Sequence, residues 1–180
     1  MSPRSMKPPK DDSEYFERLT KSVFTAGLNW TVVENKWPDF QRAFAQFSLP
    51  KVAKFNEKDV MTLMGNAGIV RNEKKIRATI HNAGEFLKLE KEFGSIKKYI
   101  DSYGKDEERL QTNVQDRFQH VGPSTARTFL WSSGCQLTPN KEEKKWMAGQ
   151  SRLSSAKGPR AHSNPSFILM ILTSILLTAR

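Results

Sequence analysis

Apolar side chains recur every three to four residues from residue 13 to residue 135, and nowhere in that span do they alternate. A spacing of three and four places side chains on one face of a helix, whereas a half-buried strand needs a period of two. The runs are short, and helix-breaking glycines or prolines interrupt them at Gly27, Pro38, Pro50, Gly68, Gly94, Gly104 and Gly122. The expected fold is therefore an all-α bundle of short helices. No repeat of fixed period is present, which excludes a helical solenoid.

The first run covers Ser13 to Ala26, with Tyr15, Phe16, Leu19, Val23 and Ala26 on one face. Ser22 falls on that face too, so its hydroxyl needs an internal partner, most simply the carbonyl one turn earlier. Ala26-Gly27-Leu28-Asn29-Trp30 breaks the run. Trp37-Pro38 is expected to start a second helix bearing Phe40, Ala43, Phe44 and Phe47, because proline suits a helix start. Ser48-Leu49-Pro50 opens a short turn through Val52 and Phe55. Asn56 is an N-cap candidate with Asp59 three residues on. Val60, Leu63, Met64 and Ala67 form the next stripe, ended by Gly68. Asn72 is placed to cap a long helix to about Phe93, with Ile76, Ile80, Ala83 and Leu87 inward and Phe86 beside them. Ile96, Tyr99 and Ile100 mark a short helix. Leu110, Val114 and Phe118 form the run before Val121-Gly122-Pro123-Ser124, and Ala126, Phe129 and Leu130 form the run after it.

That last junction bears on function. Gly122 offers backbone freedom, Pro123 fits a first helical turn, and Ser124 and Thr125 sit where free amides face outward. Free amides at a helix start attract anions. The segment reads either as a helix-hairpin-helix gripping a DNA phosphate or as an ordinary αα-hairpin.

Charge is consistent with a polyanionic partner, since the chain carries a net charge of +10 with a pI of about 9.8. Half of that excess lies in residues 136–180, which hold seven Lys/Arg and two Glu. One cysteine, Cys135, excludes an internal disulfide framework. The histidines at 81, 120 and 162 show no zinc spacing, and no metal or cofactor is expected. Residues 1–12 read as a flexible leader, 13–149 as the helical domain, and 150–180 as a basic linker and short apolar tail, disordered or accessory. Trp146 would anchor a last turn. Residues 167–177 are apolar but for Thr173 and Ser174, well short of the roughly 20 residues of a membrane span. The N-terminus has no signal-peptide core, so the chain is not expected to be secreted.

Three segments carry a more specific resemblance: Ala26-Gly27-Leu28-Asn29-Trp30-Thr31-Val32-Val33, Asn66-Ala67-Gly68-Ile69-Val70-Arg71-Asn72-Glu73-Lys74-Lys75-Ile76, and Phe118-Gln119-His120-Val121-Gly122-Pro123-Ser124-Thr125. From about Pro9 to Cys135 the chain resembles the DNA-3-methyladenine glycosylase I (Tag) family. The resemblance implies a helix-hairpin-helix glycosylase fold and removal of alkylated purines, 3-methyladenine first among them, from double-stranded DNA. It implies a monomer working where the DNA lies: cytoplasm or nucleoid in a prokaryote, nucleus or organelle otherwise.

The resemblance also assigns residues. Gly27 and Leu28 become the wedge that fills the gap left by a flipped base, with packing of Leu28 into the core as the alternative. Trp30 becomes a stacking wall for a cationic base, or a core tryptophan. Trp37 and Trp131 match no family role and read as packing. Val121, Gly122, Ser124 and Thr125 form the phosphate grip. Arg71, Lys74 and Lys75 open the long helix as candidate backbone contacts. Ser22 stands where the family has its pocket glutamate. The family's N-terminal Cys, its Tyr-His-Asp-x-Glu-Trp-Gly stretch and its C-terminal His and Cys have no counterpart here, which implies a zinc-free, divergent member. No aspartate follows Asp116, so the aspartate many relatives use to support the sugar cation has no candidate. No catalytic residue is assigned. A non-catalytic DNA-binding module is the alternative.

Overall fold

The computed structural model describes residues 7–141 and 144–145. The described residues form eight α-helices and no strand: α1 Asp12–Thr25, α2 Trp30–Ala43, α3 Leu49–Val52, α4 Glu57–Gly65, α5 Glu73–Phe93, α6 Ile96–Asp101, α7 Glu107–Arg117 and α8 Pro123–Ser132. The all-helical bundle expected from the spacing is the fold observed.

Local chemistry sets most of the boundaries. Asp11, Asn29, Asn56, Asn72, Ser95 and Asp106 each accept a backbone N–H from the first turn of the helix that follows, using donors that have no intrahelical acceptor. Asn56 and Asp59 form a reciprocal box: the Lys58 amide donates to Asn56 at 2.9 Å and the Asn56 amide donates to Asp59 at 2.7 Å. Gly94 closes α5 in the left-handed region, at φ 84°.

The core lies between α1 and α5, with α8 packed on α1 and α3, α4 and α6 on α5. Phe16 meets Phe86 edge-on at 5.5 Å and Phe47 at 5.8 Å. Trp37 stacks on Phe40 at 5.0 Å and on Phe47 at 5.4 Å, so it is a packing residue as expected.

Several sequence expectations are corrected. The second helix begins at Trp30, not at Trp37-Pro38, because Asn29 caps it seven residues earlier, and Pro38 lies inside. Its ring is exposed, and the helix forgoes there only the bond that a proline cannot donate. That helix also stops at Ala43. Ala45, Gln46 and Phe47 have φ of 51°, 56° and 54°, a left-handed turn that costs L-residues energy. Burial of Phe47 against Trp37 and Phe44 holds it there.

The helix α4 ends at Gly65, leaving Ala67 exposed and outside the buried stripe. Gly68 serves close packing instead: a Cβ there would lie 2.8 Å from the Asp39 carboxyl carbon. On α5 the buried residues include Lys75, Thr79, Asn82 and Leu89, while Ile80 and Leu87 are only partly buried. Of the leader, residues 7–11 are described: Pro9 is buried and the Lys7 carbonyl accepts a bond from Arg18 at 2.7 Å. Trp146 and the apolar stretch 167–177 lie outside the described residues. Among those described, no helix is long and apolar enough to cross a membrane.

Candidate nucleic-acid interface

The hairpin between α7 and α8 is built from its entry inward. Phe118 and Val121 are buried and fasten the turn to the core. His120, between them, takes φ 61°. Gly122 sits at φ −87° and ψ −180°, ordinary extended backbone, and a Cβ added to it would meet nothing within 4 Å. The left-handed residue of the turn is thus His120 and not Gly122, which corrects the reason given for that glycine. Neither backbone angle nor internal packing requires a glycine at 122.

Beyond it, α8 starts with Pro123, Ser124 is exposed and Thr125 is buried. No side chain caps this helix. Among the described helices of six residues or more, each of the others has a side-chain cap. The amides of Ser124 and Thr125 therefore face outward at the positive end of the helix dipole.

The Gly27 loop follows α1. Gly27 is exposed at φ 71°, with open space where a Cβ would be. Leu28 is not the exposed wedge expected: it is partly buried and packs against the core. The Leu28 amide donates to the Thr25 carbonyl at 3.1 Å, which turns the side chain toward the bundle. The exposed apolar residue one turn further on is Val32, at 47%.

Ser22 is 6% exposed and its Oγ donates to the Arg18 carbonyl at 2.9 Å, the back-bond its position required. Trp30 opens α2 half-buried, with a buried Nε1 that has no acceptor. The Lys21 ammonium lies 5.9 Å from the Trp30 ring centre and 5.1 Å from that of Trp37, and pairs with Glu34 at 2.5 Å. Trp30 thus already has a cation beside it.

Arg71 and Lys74 are exposed at the start of α5, but Lys75 is not and cannot serve as a surface contact. It is 6% exposed, and its ammonium donates to the Ala26 carbonyl at 2.7 Å and to the Phe24 carbonyl at 3.2 Å. Burial pulls the Lys75 ammonium below the usual lysine range. The two carbonyls at the negative end of α1 act in the opposite sense. Two turns further along α5, Asn82 is 2% exposed. It donates to the Gln119 carbonyl at 3.1 Å and accepts the Gln119 amide at 2.8 Å.

Asn82 went unassigned in the sequence, and Lys75 was assigned to the surface rather than to this interior role. The available signal was their phase: Lys75, Thr79 and Asn82 share the helical face of Ile76, Ala83 and Phe86. His120 lies in the turn that Asn82 holds. Burial, with Lys75 and Lys74, holds its imidazole below the usual histidine range.

The remaining reactive groups lie outside this arrangement. Burial, with Asp101 and Glu107, pushes the Cys135 thiol up to about 11, so it stays protonated. A cavity of about 510 Å³ bordered by Pro9, Asp12, Tyr15, Leu49 and Glu90 includes no residue of the hairpin or the Gly27 loop. Among the described residues no cluster of three His, Cys, Asp or Glu side chains could hold a metal ion.

An all-helical bundle whose α7–α8 hairpin leads into an uncapped helix start is a helix-hairpin-helix glycosylase-like fold. Within that class the chain belongs to the methyladenine glycosylase family, whose model matches residues 6–129. It is 33% identical over 97 residues to a DNA-3-methyladenine glycosylase of Haemophilus influenzae, covering 54% of this chain and 52% of that one. It is 39% identical over 83 residues to DNA-3-methyladenine glycosylase 1 of Escherichia coli, covering 46% and 44%. The chain thus spans about half the length of the curated relatives it matches.

Solved structures agree. A crystal structure of 3-methyladenine DNA glycosylase I (TAG) superposes with a TM-score of 0.65 at 26% identity, over 73% of this chain and 83% of that one. The 3-methyladenine DNA glycosylase I of Staphylococcus aureus, solved for the basis of its 3-methyladenine recognition, gives 0.66 at 25%, over 78% and 87%.

Proposed function

We propose that this chain is a DNA N-glycosylase that flips alkylated purines, 3-methyladenine first, out of double-stranded DNA and hydrolyses their bond to the sugar. The observation that carries the proposal is the start of α8. A glycine that the fold does not require precedes helix-start amides that no side chain caps, and a DNA phosphate fits there.

In this reading the hairpin grips the backbone while the Gly27–Leu28 turn meets the stack. Flipping costs a few kcal/mol, and Leu28 must swing partly off the core to fill the gap. Val32 extends the apolar surface beside it. Trp30 stacks on the extruded base. Alkylation at N3 leaves the base cationic and a good leaving group, so breaking the C1′–N bond as water adds to C1′ needs little acid–base help. Stabilising the transition state relative to the bound duplex supplies the rest. Arg71 and Lys74 add diffuse attraction to phosphates. The enzyme works as a monomer where the DNA is, without a cofactor.

Chromatographic detection of free 3-methyladenine released from methylated duplex DNA tests the assignment. A second reading, a non-catalytic DNA-binding module, is favoured by one observation: Ser22 offers a hydroxyl already bonded to Arg18 where the resembling family has a carboxylate. Duplex binding without base release decides for the module.

A further inference from the structure

Two buried polar side chains on α5 each hold the backbone of a different loop. Lys75 takes the carbonyls of Phe24 and Ala26, just before the left-handed Gly27. A cation there satisfies carbonyls at a helix end and sits on the negative pole of the dipole. With the Ala26 carbonyl fixed, the direction in which Gly27 and Leu28 leave α1 is fixed as well. Asn82 bonds both the N–H and the C=O of Gln119, the last residue before the left-handed His120. That pairing fixes the entry to the hairpin.

Neither bond set is explained by folding economy alone. A buried lysine costs desolvation that an apolar side chain avoids, and apolar neighbours of the same stripe already supply the packing. The two residues are seven apart, or about 10 Å along the helix axis. Side chains that far apart, with no shared partner, act independently.

We infer that Lys75 and Asn82 are positioning residues with separate tasks, Lys75 bracing the base-flipping turn and Asn82 bracing the phosphate-gripping hairpin. The inference rests on the glycosylase reading but assigns residues that reading does not use. Neither side chain touches DNA. Each acts through the backbone it holds.

The test compares Lys75→Met and Asn82→Ala in the full chain, with melting temperatures recorded for both. Affinity for an undamaged duplex is read by fluorescence anisotropy. Flipping is read by 2-aminopurine fluorescence at a mispaired site, and base release by KM and kcat.

Lys75→Met is expected to keep duplex affinity within about threefold while flipping and kcat fall about tenfold or more, because base capture and phosphate grip are separable. Asn82→Ala is expected to weaken duplex affinity and raise KM about tenfold, with kcat at saturating DNA within about threefold. Lys75→Arg, which keeps donors and charge, should restore most of the flipping. If Lys75→Met does not fold, Lys75→Gln, which keeps one donor group, is measured instead.

The inference is overturned if both residues affect the same readout, if neither affects either, or if both Lys75 variants fail to fold. Failure of the underlying reading looks different: the wild-type chain then neither binds nor flips. A wild type that binds and flips without releasing base still tests both braces.

Discussion

Replacing Gly122 with alanine separates what the fold needs from what a phosphate needs. The residue has φ −87°, and a Cβ meets nothing within 4 Å, so no strain or clash is introduced. Two small terms remain. Alanine at an ordinary φ restricts the unfolded chain and stabilises by about 0.4–1 kcal/mol. Gly122 is also the residue preceding the first turn of α8, where alanine is a poorer cap by roughly 0.5–1 kcal/mol. The terms oppose each other, so net stability changes by less than about 1 kcal/mol, or about 2–4 °C in Tm at this chain length.

Binding behaves differently. The methyl group stands in the space through which a phosphate would approach the amides of Ser124 and Thr125. Losing one charge-assisted hydrogen bond costs about 1.5–3 kcal/mol, and each 1.4 kcal/mol is about tenfold in affinity. Anisotropy titrations of an undamaged duplex at fixed salt should therefore show Kd rising at least about tenfold. Two unrelated sequences should weaken alike, since the contact is to the backbone. An unchanged Kd in a variant with native Tm would refute the phosphate assignment and leave the glycine unexplained.

Three other outcomes follow from the same geometry. His120 is held below its usual range by burial and by Lys75 and Lys74, so the unfolded chain binds a proton first as pH falls. Its contribution to stability is present above about pH 6.5 and lost as pH drops through the folded value, and His120→Gln should show a smaller fall in Tm between pH 7 and pH 5 than the wild type. Ser22→Glu should raise release of 3-methyladenine, or confer it, at some cost in Tm because a carboxylate is placed in a buried site; a folded variant with unchanged rate and preference would show that residue 22 does not face the base. Trp30→Ala should lose base release with little change in undamaged-duplex Kd, and parallel loss of both would remove Trp30 from the base pocket.

The sequence showed which surfaces are buried better than it showed where backbones turn. Periodicity alone identified Phe16, Leu19 and Val23 on α1 and Ile76 and Ala83 on α5 as inward, and capping chemistry placed Asn56 and Asn72 at helix starts. Those features are local, and each follows from a few consecutive residues. The misplacements had non-local causes. Pro38 looked like a helix start because proline usually is one, but the Asn29 cap and a solvent-facing ring let α2 run through it. Phe47 kept helical spacing from Phe40, yet its burial comes from a left-handed turn stabilised by stacking against Trp37. Lys75 read as a surface contact to the DNA backbone because lysine is usually exposed; its partners lie 49 and 51 residues away and no local pattern announces them.

The candidate site divides along the same line. Its phosphate grip is a matter of consecutive residues, so Val121-Gly122-Pro123-Ser124 could be found by eye, even though the glycine's role changed once its φ was known. The proposed base pocket depends on what surrounds Trp30, and that is a question of charge. The resembling family supplies a carboxylate, whereas here Ser22 is neutral with its hydroxyl bonded to Arg18, and the Lys21 ammonium lies 5.9 Å from the Trp30 ring. A positive neighbour is compensated only as long as Glu34 stays paired with it at 2.5 Å. Glu34 therefore sets the net charge beside the ring: with it the pocket is near neutral, and without it a cationic base meets a like charge. On the proposed reading, a cationic 3-methyladenine gains less here than it would beside a carboxylate, while a neutral alkylated base loses nothing. The balance between cationic and neutral lesions, on that reading, therefore turns on the Lys21–Glu34 pair as well as on residue 22.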